Sequence, residues 1–222
     1  MTKGIFITAT GTDIGKTYVA ALMIKKLRSS GRNAGYYKAA LSGASSVENS
    51  DAGYVNRVAN IGQEEETLFS YLYSNAVSPH LAAKLEGNPA EISKIITDYT
   101  KVRELYDYVT VEGSGGIICP IRYDDTTHIL LEDIVKALGL NTLIIADAGL
   151  GTINAVTLTA EYLRSRGIGI KGVILNRYTG GIMQDDNITM IEKIAKIPVL
   201  SLVKPYADEI EMSADEIEAL YE

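Results

Sequence analysis

Six short apolar runs are strung along the chain, and helical stretches lie between them. The runs begin at Ile5 ("IFI"), Ala34 ("AGYYKA"), Tyr108 ("YVTV"), Thr142 ("TLIIAD"), Ile170 ("IKGVILN") and Ile197 ("IPVLSLV"). They are continuous rather than alternating, the pattern of parallel strands buried on both faces. The stretches 18–27, 89–105, 130–138, 155–166 and 184–196 read as helices. Further helices are expected after Pro79, near Asp51 behind a Ser50 or Asn49 cap, and in the capped tail "SADEIEALYE". Right-handed crossovers between such strands build an α/β fold with an open, doubly wound, mostly parallel sheet and helices on both faces. With no internal repeat and no low-complexity linker, residues 1–222 are expected to form a single domain. Ligands of this architecture gather beyond the carboxyl ends of the strands. Loops 9–16, 39–50, 113–116, 148–153 and 176–182 should therefore meet at the site.

Composition narrows the partners. The apolar set makes up 46% of 222 residues, enough for a sizeable core, and the net charge of −7 argues against nucleic acid or an anionic membrane as partner. An anionic small molecule is compatible with that balance, because local loops can be positive within an acidic protein. Cys119 is the only cysteine, so neither an intrachain disulfide nor a cysteine metal cluster is available. It is expected to be a small core residue. No apolar segment approaches bilayer-spanning length, and the amino end has no signal-like apolar region, so a cytoplasmic protein is expected.

The sharpest local signal is "TATGTDIGKT", residues 8–17. It nearly fits the phosphate-cradling loop, Gly, four residues, then Gly-Lys-Ser/Thr. Gly15, Lys16 and Thr17 stand in place, but position 10 is threonine and Gly11 comes one residue late. A strand before it and an amphipathic helix after it supply the context that a chance turn lacks. In such a loop, backbone N–H groups and a helix amino end face phosphate oxygens. Lys16 adds a mobile charge, and Thr17 can offer its hydroxyl to Mg2+. Magnesium also wants one or two carboxylates. Glu112 leads, because it ends the run "YVTVE" beside Gly113. Asp51 is a second candidate, although an acid in a first helical turn is also favoured by the helix dipole. Asp147, at another strand end, competes.

Taken in order, "GTDIGKT", "YYKAALSG", "NSD", "SPHLAAKLEG", "VEGSGG", "GLGTIN" and "ILN" resemble the dethiobiotin synthetase family, ATP-dependent enzymes of biotin biosynthesis. The resemblance implies a seven-stranded, mostly parallel sheet, a homodimer, and a relaxed variant of the phosphate loop. It implies that 7,8-diaminopelargonate reacts with CO2 to a carbamate, whose oxygen attacks the γ-phosphate of ATP. The second amine then closes the ureido ring and expels phosphate.

Placed on matching positions, the resemblance makes Gly11, Thr12, Asp13, Ile14, Gly15, Lys16 and Thr17 the phosphate cradle, with Thr12 and Lys16 counted as catalytic. Lys38 and Ser42 would hold the carbamate and the transferring phosphate, and Thr17, Asp51 and Glu112 would bind Mg2+. The backbone of Gly113, Gly115 and Gly116 would line the diamine site. Gly151, Thr152 and Asn154 would receive the substrate's distal carboxylate from the partner subunit. Asn176 would read adenine, with the loop at Pro205 closing over the base. Ala39 stands where the family usually has proline, Asp13 where some relatives have glutamate, and "GGIMQDDNITM" lacks a tyrosine that some relatives use on the substrate tail.

Three other readings remain at this point. Switch ATPases of the chromosome-partition or septum-placement type share the fold class but usually carry a lysine where this chain has Gly11. Amidating enzymes of corrin synthesis carry a glutaminase domain for which the chain after Asn176 is too short. A nucleotide-binding domain without catalysis is the third. His80, at a helix start, reads as structural, and His128 lies in an expected polar loop.

Overall fold

The computed structural model describes residues 2–222. In chain order the elements are β1 (Lys3–Ala9), α1 (Lys16–Ser29), β2 (Ala34–Ser42), α2 (Asp51–Val58), α3 (Glu65–Leu68), β3 (Phe69–Tyr73), α4 (Pro79–Glu86), α5 (Ile92–Leu105) and β4 (Tyr108–Glu112). The second half holds β5 (Pro120–Tyr123), β6 (His128–Leu130), α6 (Leu131–Leu138), β7 (Thr142–Asp147), α7 (Thr152–Ser165), β8 (Ile170–Asn176), α8 (Ile182–Ile194), β9 (Val199–Val203) and α9 (Ala214–Glu218). Seven strands form one sheet in the order β3-β2-β4-β1-β7-β8-β9, every pair parallel.

Successive residues of β1 show why the runs must be apolar throughout. Ile5 and Ile7 pack with α1, α2 and α9 on one face, while Phe6 packs with residues of α5, α6 and α7 on the other. A strand clamped between two helical layers has no face left for polar side chains. The chain leaves β1 to one side of the sheet and returns through β4, then passes β1 to reach β7 on the other. The carboxyl ends of β1 and β4 therefore flank the crevice where such folds hold ligands.

All six strands expected from the apolar runs are present, and the seventh is β3. Its Phe69 and Leu72 are only half-buried, as suits an edge position, so the run "FSYLY" lacks the unbroken apolar signature. Its presence explains why β2 extends past Lys38, since Leu41 and Ser42 pair with Leu72 and Tyr73. A separate antiparallel pair, β5 with β6, corrects the placement of His128. That residue lies in β6, its ring stacked on Tyr123 at 4.0 Å between centroids, rather than in a loop.

Helix ends shift by two or three residues from expectation, for local reasons. The helix expected from residue 89 begins at Ile92, after extended backbone at Glu91. α7 begins at Thr152, because Gly151 caps it in the left-handed region at φ 90°. α8 ends by Ile194, just before Lys196 turns left-handed at φ 53°.

α2 sits where the site needs it. Ser50 is the cap, its Oγ accepting from the Gly53 N–H at 3.1 Å. The first turn packs hard on a short 3-10 turn, Val47–Asn49, and a Cβ at Gly53 would lie 2.0 Å from the Val47 carbonyl oxygen. Alanine ordinarily favours a helix over glycine by about 1 kcal/mol. Overpacking against backbone costs about 1–3 kcal/mol and should win. Gly53→Ala is expected to lower the urea midpoint; a raised midpoint would show that the turn yields freely.

Candidate active site

The loop between β1 and α1 curls around an anion-sized space. Asp13 and Gly15 take left-handed angles, φ 58° and 97°, whereas Thr10 and Gly11 do not. The position where the common pattern requires glycine therefore needs none here, and threonine is tolerated. Thr10 instead donates its N–H to the Ile145 carbonyl at 3.1 Å, holding the loop's entrance against β7. Gly15 is not replaceable on the same grounds. A Cβ there would lie 2.2 Å from the Asn176 side-chain nitrogen.

The loop opens on a cavity of about 850 Å3. Thr12, Asp13, Gly15, Lys16 and Thr17 line it from the loop, Lys38 and Ser42 from β2, Asp51 from α2, and Glu112 and Gly115 from the end of β4 onward. Sheet register makes this convergence. Glu112 stands beside Ile7 on one side and Lys38 on the other. The Lys38 ammonium bridges two carboxylates, donating to Asp51 Oδ2 at 2.5 Å and to Glu112 Oε1 at 2.8 Å. Thr17 Oγ1 donates to the same Glu112 Oε1 at 2.7 Å, and the Tyr36 hydroxyl donates to Oε2 at 2.8 Å.

Charge states follow from this packing. Burial works against the Lys38 ammonium, yet Glu112 and Asp51 outweigh it and hold its pKa above the ordinary lysine value. Burial likewise works to raise the Asp51 carboxyl, but Lys38, Lys16 and the Thr17 hydroxyl keep it below the usual range. Lys16 differs. Burial, followed by the like charge of Lys38, lowers its pKa although Glu112 and Asp51 oppose that shift. Its ammonium is buried and, among the described residues, makes a single long hydrogen bond, 3.4 Å to the Gly11 carbonyl. A buried, under-bonded cation beside a helix amino end fits a polyphosphate.

A divalent cation also fits. Thr17, Asp51 and Glu112 line the same cavity and offer one hydroxyl and two carboxylates, an all-oxygen set suited to magnesium, with the Lys38 ammonium now bridging the two carboxylates. Among the described residues there is no cluster of three or more His, Cys, Asp or Glu side chains able to hold a metal. Asp147, the competing carboxylate, is engaged elsewhere: Oδ1 accepts from the Gly149 N–H at 2.8 Å and Oδ2 from Arg177 at 3.0 Å.

Several expected site residues lie outside the cavity wall. Asn176 is buried and donates to the Ile14 carbonyl at 2.8 Å, bracing the loop from behind. Gly11, Ile14, Gly113 and Gly116 support the wall rather than forming it. Pro205 is exposed, and Gly151, Thr152 and Asn154 open α7 away from this cavity. Among the contributors not picked out from the sequence are Tyr36, Arg177 and Ser114. Tyr36 lies two positions before Lys38 on the same strand face, a spacing that points to a shared neighbour. Arg177 follows Asn176 at φ 59° and donates to the Asp13 carbonyl at 2.6 Å. Ser114 ties the turn after β4 to the Ala40 carbonyl at 2.7 Å, with no signal beyond its place among glycines. His80 meets Ser78 Oγ at 3.0 Å, a local contact at the start of α4.

Comparison with known proteins gives the family and the fold. A family model described as an AAA domain matches residues 3–212. An ATP-dependent dethiobiotin synthetase from Brachyspira hyodysenteriae is 53% identical over 91% of this chain and 92% of its own length. Another, from Clostridium botulinum strain Loch Maree, is 47% identical over 100% of this chain and 99% of its own. This chain belongs to the dethiobiotin synthetase family. The MinC:MinD cell division protein complex of Aquifex aeolicus superposes with a TM-score of 0.58, covering 91% of this chain and 81% of that one at 16% identity. That likeness extends to the fold alone, so the switch-ATPase reading shares only architecture with this synthetase family member. Among the described residues no helix is long and apolar enough to cross a membrane.

Gly15→Ala tests the loop geometry. Left-handed backbone costs a residue with a side chain about 1–2 kcal/mol, and the new methyl group would displace Asn176 as well. ATP affinity is expected to fall by about tenfold or more while the far-ultraviolet spectrum stays unchanged. Titration with a fluorescent ATP analogue measures the loss, and wild-type affinity would contradict the assignment of the loop.

Proposed function

We propose that this chain is an ATP-dependent dethiobiotin synthase. It joins 7,8-diaminopelargonate to CO2 and closes the ureido ring, converting ATP to ADP and phosphate. The observation that carries the reading is the Lys38 ammonium, buried between Asp51 and Glu112 in the cavity that Lys16 also lines. A nucleotide alone needs the lysine of the loop. A second buried lysine on the neighbouring strand suits a second anion held against the first.

One amine of the substrate adds to CO2 and loses a proton, giving the carbamate. Lys38 pairs with the carbamate oxygens, and Ser42, on the same strand, hydrogen-bonds the same group. Lys16 and the N–H groups of Thr12 to Thr17 hold the triphosphate, so that the carbamate oxygen attacks the γ-phosphorus as its bond to the β-bridging oxygen breaks. The product is a carbamic–phosphoric anhydride and ADP. The second amine then attacks the anhydride carbonyl, loses its proton, and phosphate leaves as the ring closes. Negative charge moves between oxygens at every step, so fixed cations and amide dipoles do the catalytic work. Asp51, Glu112 and Thr17 would hold Mg2+, which supplies charge neutralisation to the triphosphate when bound. The Pro205 loop takes the base end, with Asn176 bracing the phosphate loop from behind.

The substrate's distal carboxylate falls to Gly151, Thr152 and Asn154 of a second copy of the chain, so the working unit is a homodimer. Two features support this arrangement. The amino end of α7 does not line its own chain's cavity, and Leu150 and Ile182 beside it are 92% and 91% exposed. The chain works as one domain in the cytoplasm.

ADP release should require both the diamine and bicarbonate; release without either would favour a nucleotide-binding or switch protein. Lys38→Ala should abolish ring closure while ATP affinity stays within a few-fold of wild type. Equal loss of both would remove Lys38 from the carbamate. Leu150→Asp is expected to sediment as a monomer that binds ATP but does not turn over. A dimeric, active Leu150→Asp protein would overturn the shared site.

A further inference from the structure

Glu112 is 1% exposed, and each of its oxygens is claimed. Among the described residues, Oε1 accepts from Thr17 and Lys38, and Oε2 accepts from Tyr36 alone. These donors differ in what the proposed reaction leaves them. In the proposed reaction Lys38 also serves the carbamate and the Thr17 oxygen also serves the cation, so neither is committed to Glu112 alone. Tyr36 has no competing duty. Its ring is wholly buried in the core with α1, and its N–H and carbonyl are held by the Gln63 side chain at 3.0 and 2.8 Å. The phenol is pinned at the backbone and the ring, and its single bond is to Glu112.

We infer that Tyr36 is a positioning residue for the divalent cation: its hydroxyl holds Glu112 Oε2, leaving Oε1 as the one oxygen that faces the metal. The inference rests on the magnesium reading above. Partners behind a metal's ligands fix the orientation in which the ligand presents itself, and their loss typically weakens binding about 10–100-fold. Without the hydroxyl, Oε2 would be a buried carboxylate oxygen lacking a partner, and the carboxylate would be free to rotate. Thr110, two residues before Glu112 on β4, lies opposite Tyr36 in the sheet register. Tyr36 therefore reaches along the strand to Glu112, while Lys38 stands directly opposite it.

Mn2+ serves as the probe, with free ion counted by electron paramagnetic resonance in the presence of a non-hydrolysable ATP analogue. Tyr36→Phe keeps the ring and removes the hydroxyl. It should raise the Mn2+ dissociation constant about tenfold while metal-free nucleotide binds as before. In a Glu112→Gln background the same change should cause no further loss, because Tyr36 acts through that carboxylate. A merely structural tyrosine would weaken metal-free nucleotide binding equally and would still add its loss in the Glu112→Gln background. Wild-type Mn2+ affinity in Tyr36→Phe, with affinity lost in Glu112→Gln, overturns the role of Tyr36 and leaves the metal site standing. Unchanged Mn2+ affinity in Glu112→Gln removes the metal assignment and the inference with it.

Discussion

A carboxylate buried at the end of a central strand constrains everything near it. Glu112 is almost wholly removed from water, and an unpaired charge there would cost several kcal/mol. Its three partners come from two separate elements: Lys38 and Tyr36 from β2, and Thr17 from α1. They meet because β2 and β4 pair in the register that sets Lys38 opposite Glu112, and because the turn after β1 launches α1 over the same face. The fold and the chemistry are thus one requirement. A slip of one residue between β2 and β4 would turn the side chains of β2 to the opposite helical layer.

The two buried lysines divide the work by their surroundings. Lys38 is neutralised locally by two acids, so its charge is stable in the resting protein. Lys16 has one weak bond and a depressed pKa, which leaves it seeking an anion. Asp51 links the pair to α2, whose tight packing on the Val47–Asn49 turn fixes where that carboxylate stands. Polar groups that stay fixed while charge shifts among substrate oxygens avoid reorganisation during the reaction.

Much of this was legible in the residues themselves. Continuous apolar runs yielded six of the seven sheet strands, and the glycine loop with Lys16 and Thr17 located the cavity. Glu112 was readable because a polar residue at the end of a buried strand must emerge at the sheet edge. The edge strand β3 was not, since half-buried Phe69 and Leu72 weaken the apolar signal. The donor to Glu112 Oε2 was hidden for a different reason. Tyr36 looks like core filling, and only the pairing of β2 with β4 shows that its hydroxyl ends on a charge. Between Asp51 and Asp147 the residues alone left the metal carboxylate open, the resemblance favoured Asp51, and the structure pairs Asp147 with Arg177.

Asn176 touches the phosphate loop from behind, its amide bound to the Ile14 carbonyl and filling the space that a side chain at position 15 would need. The glycine and the asparagine are far apart along the chain yet share one small volume. Neither can take a bulkier residue without displacing the other, so in descendants of this sequence what is tolerated at one place depends on what stands at the other.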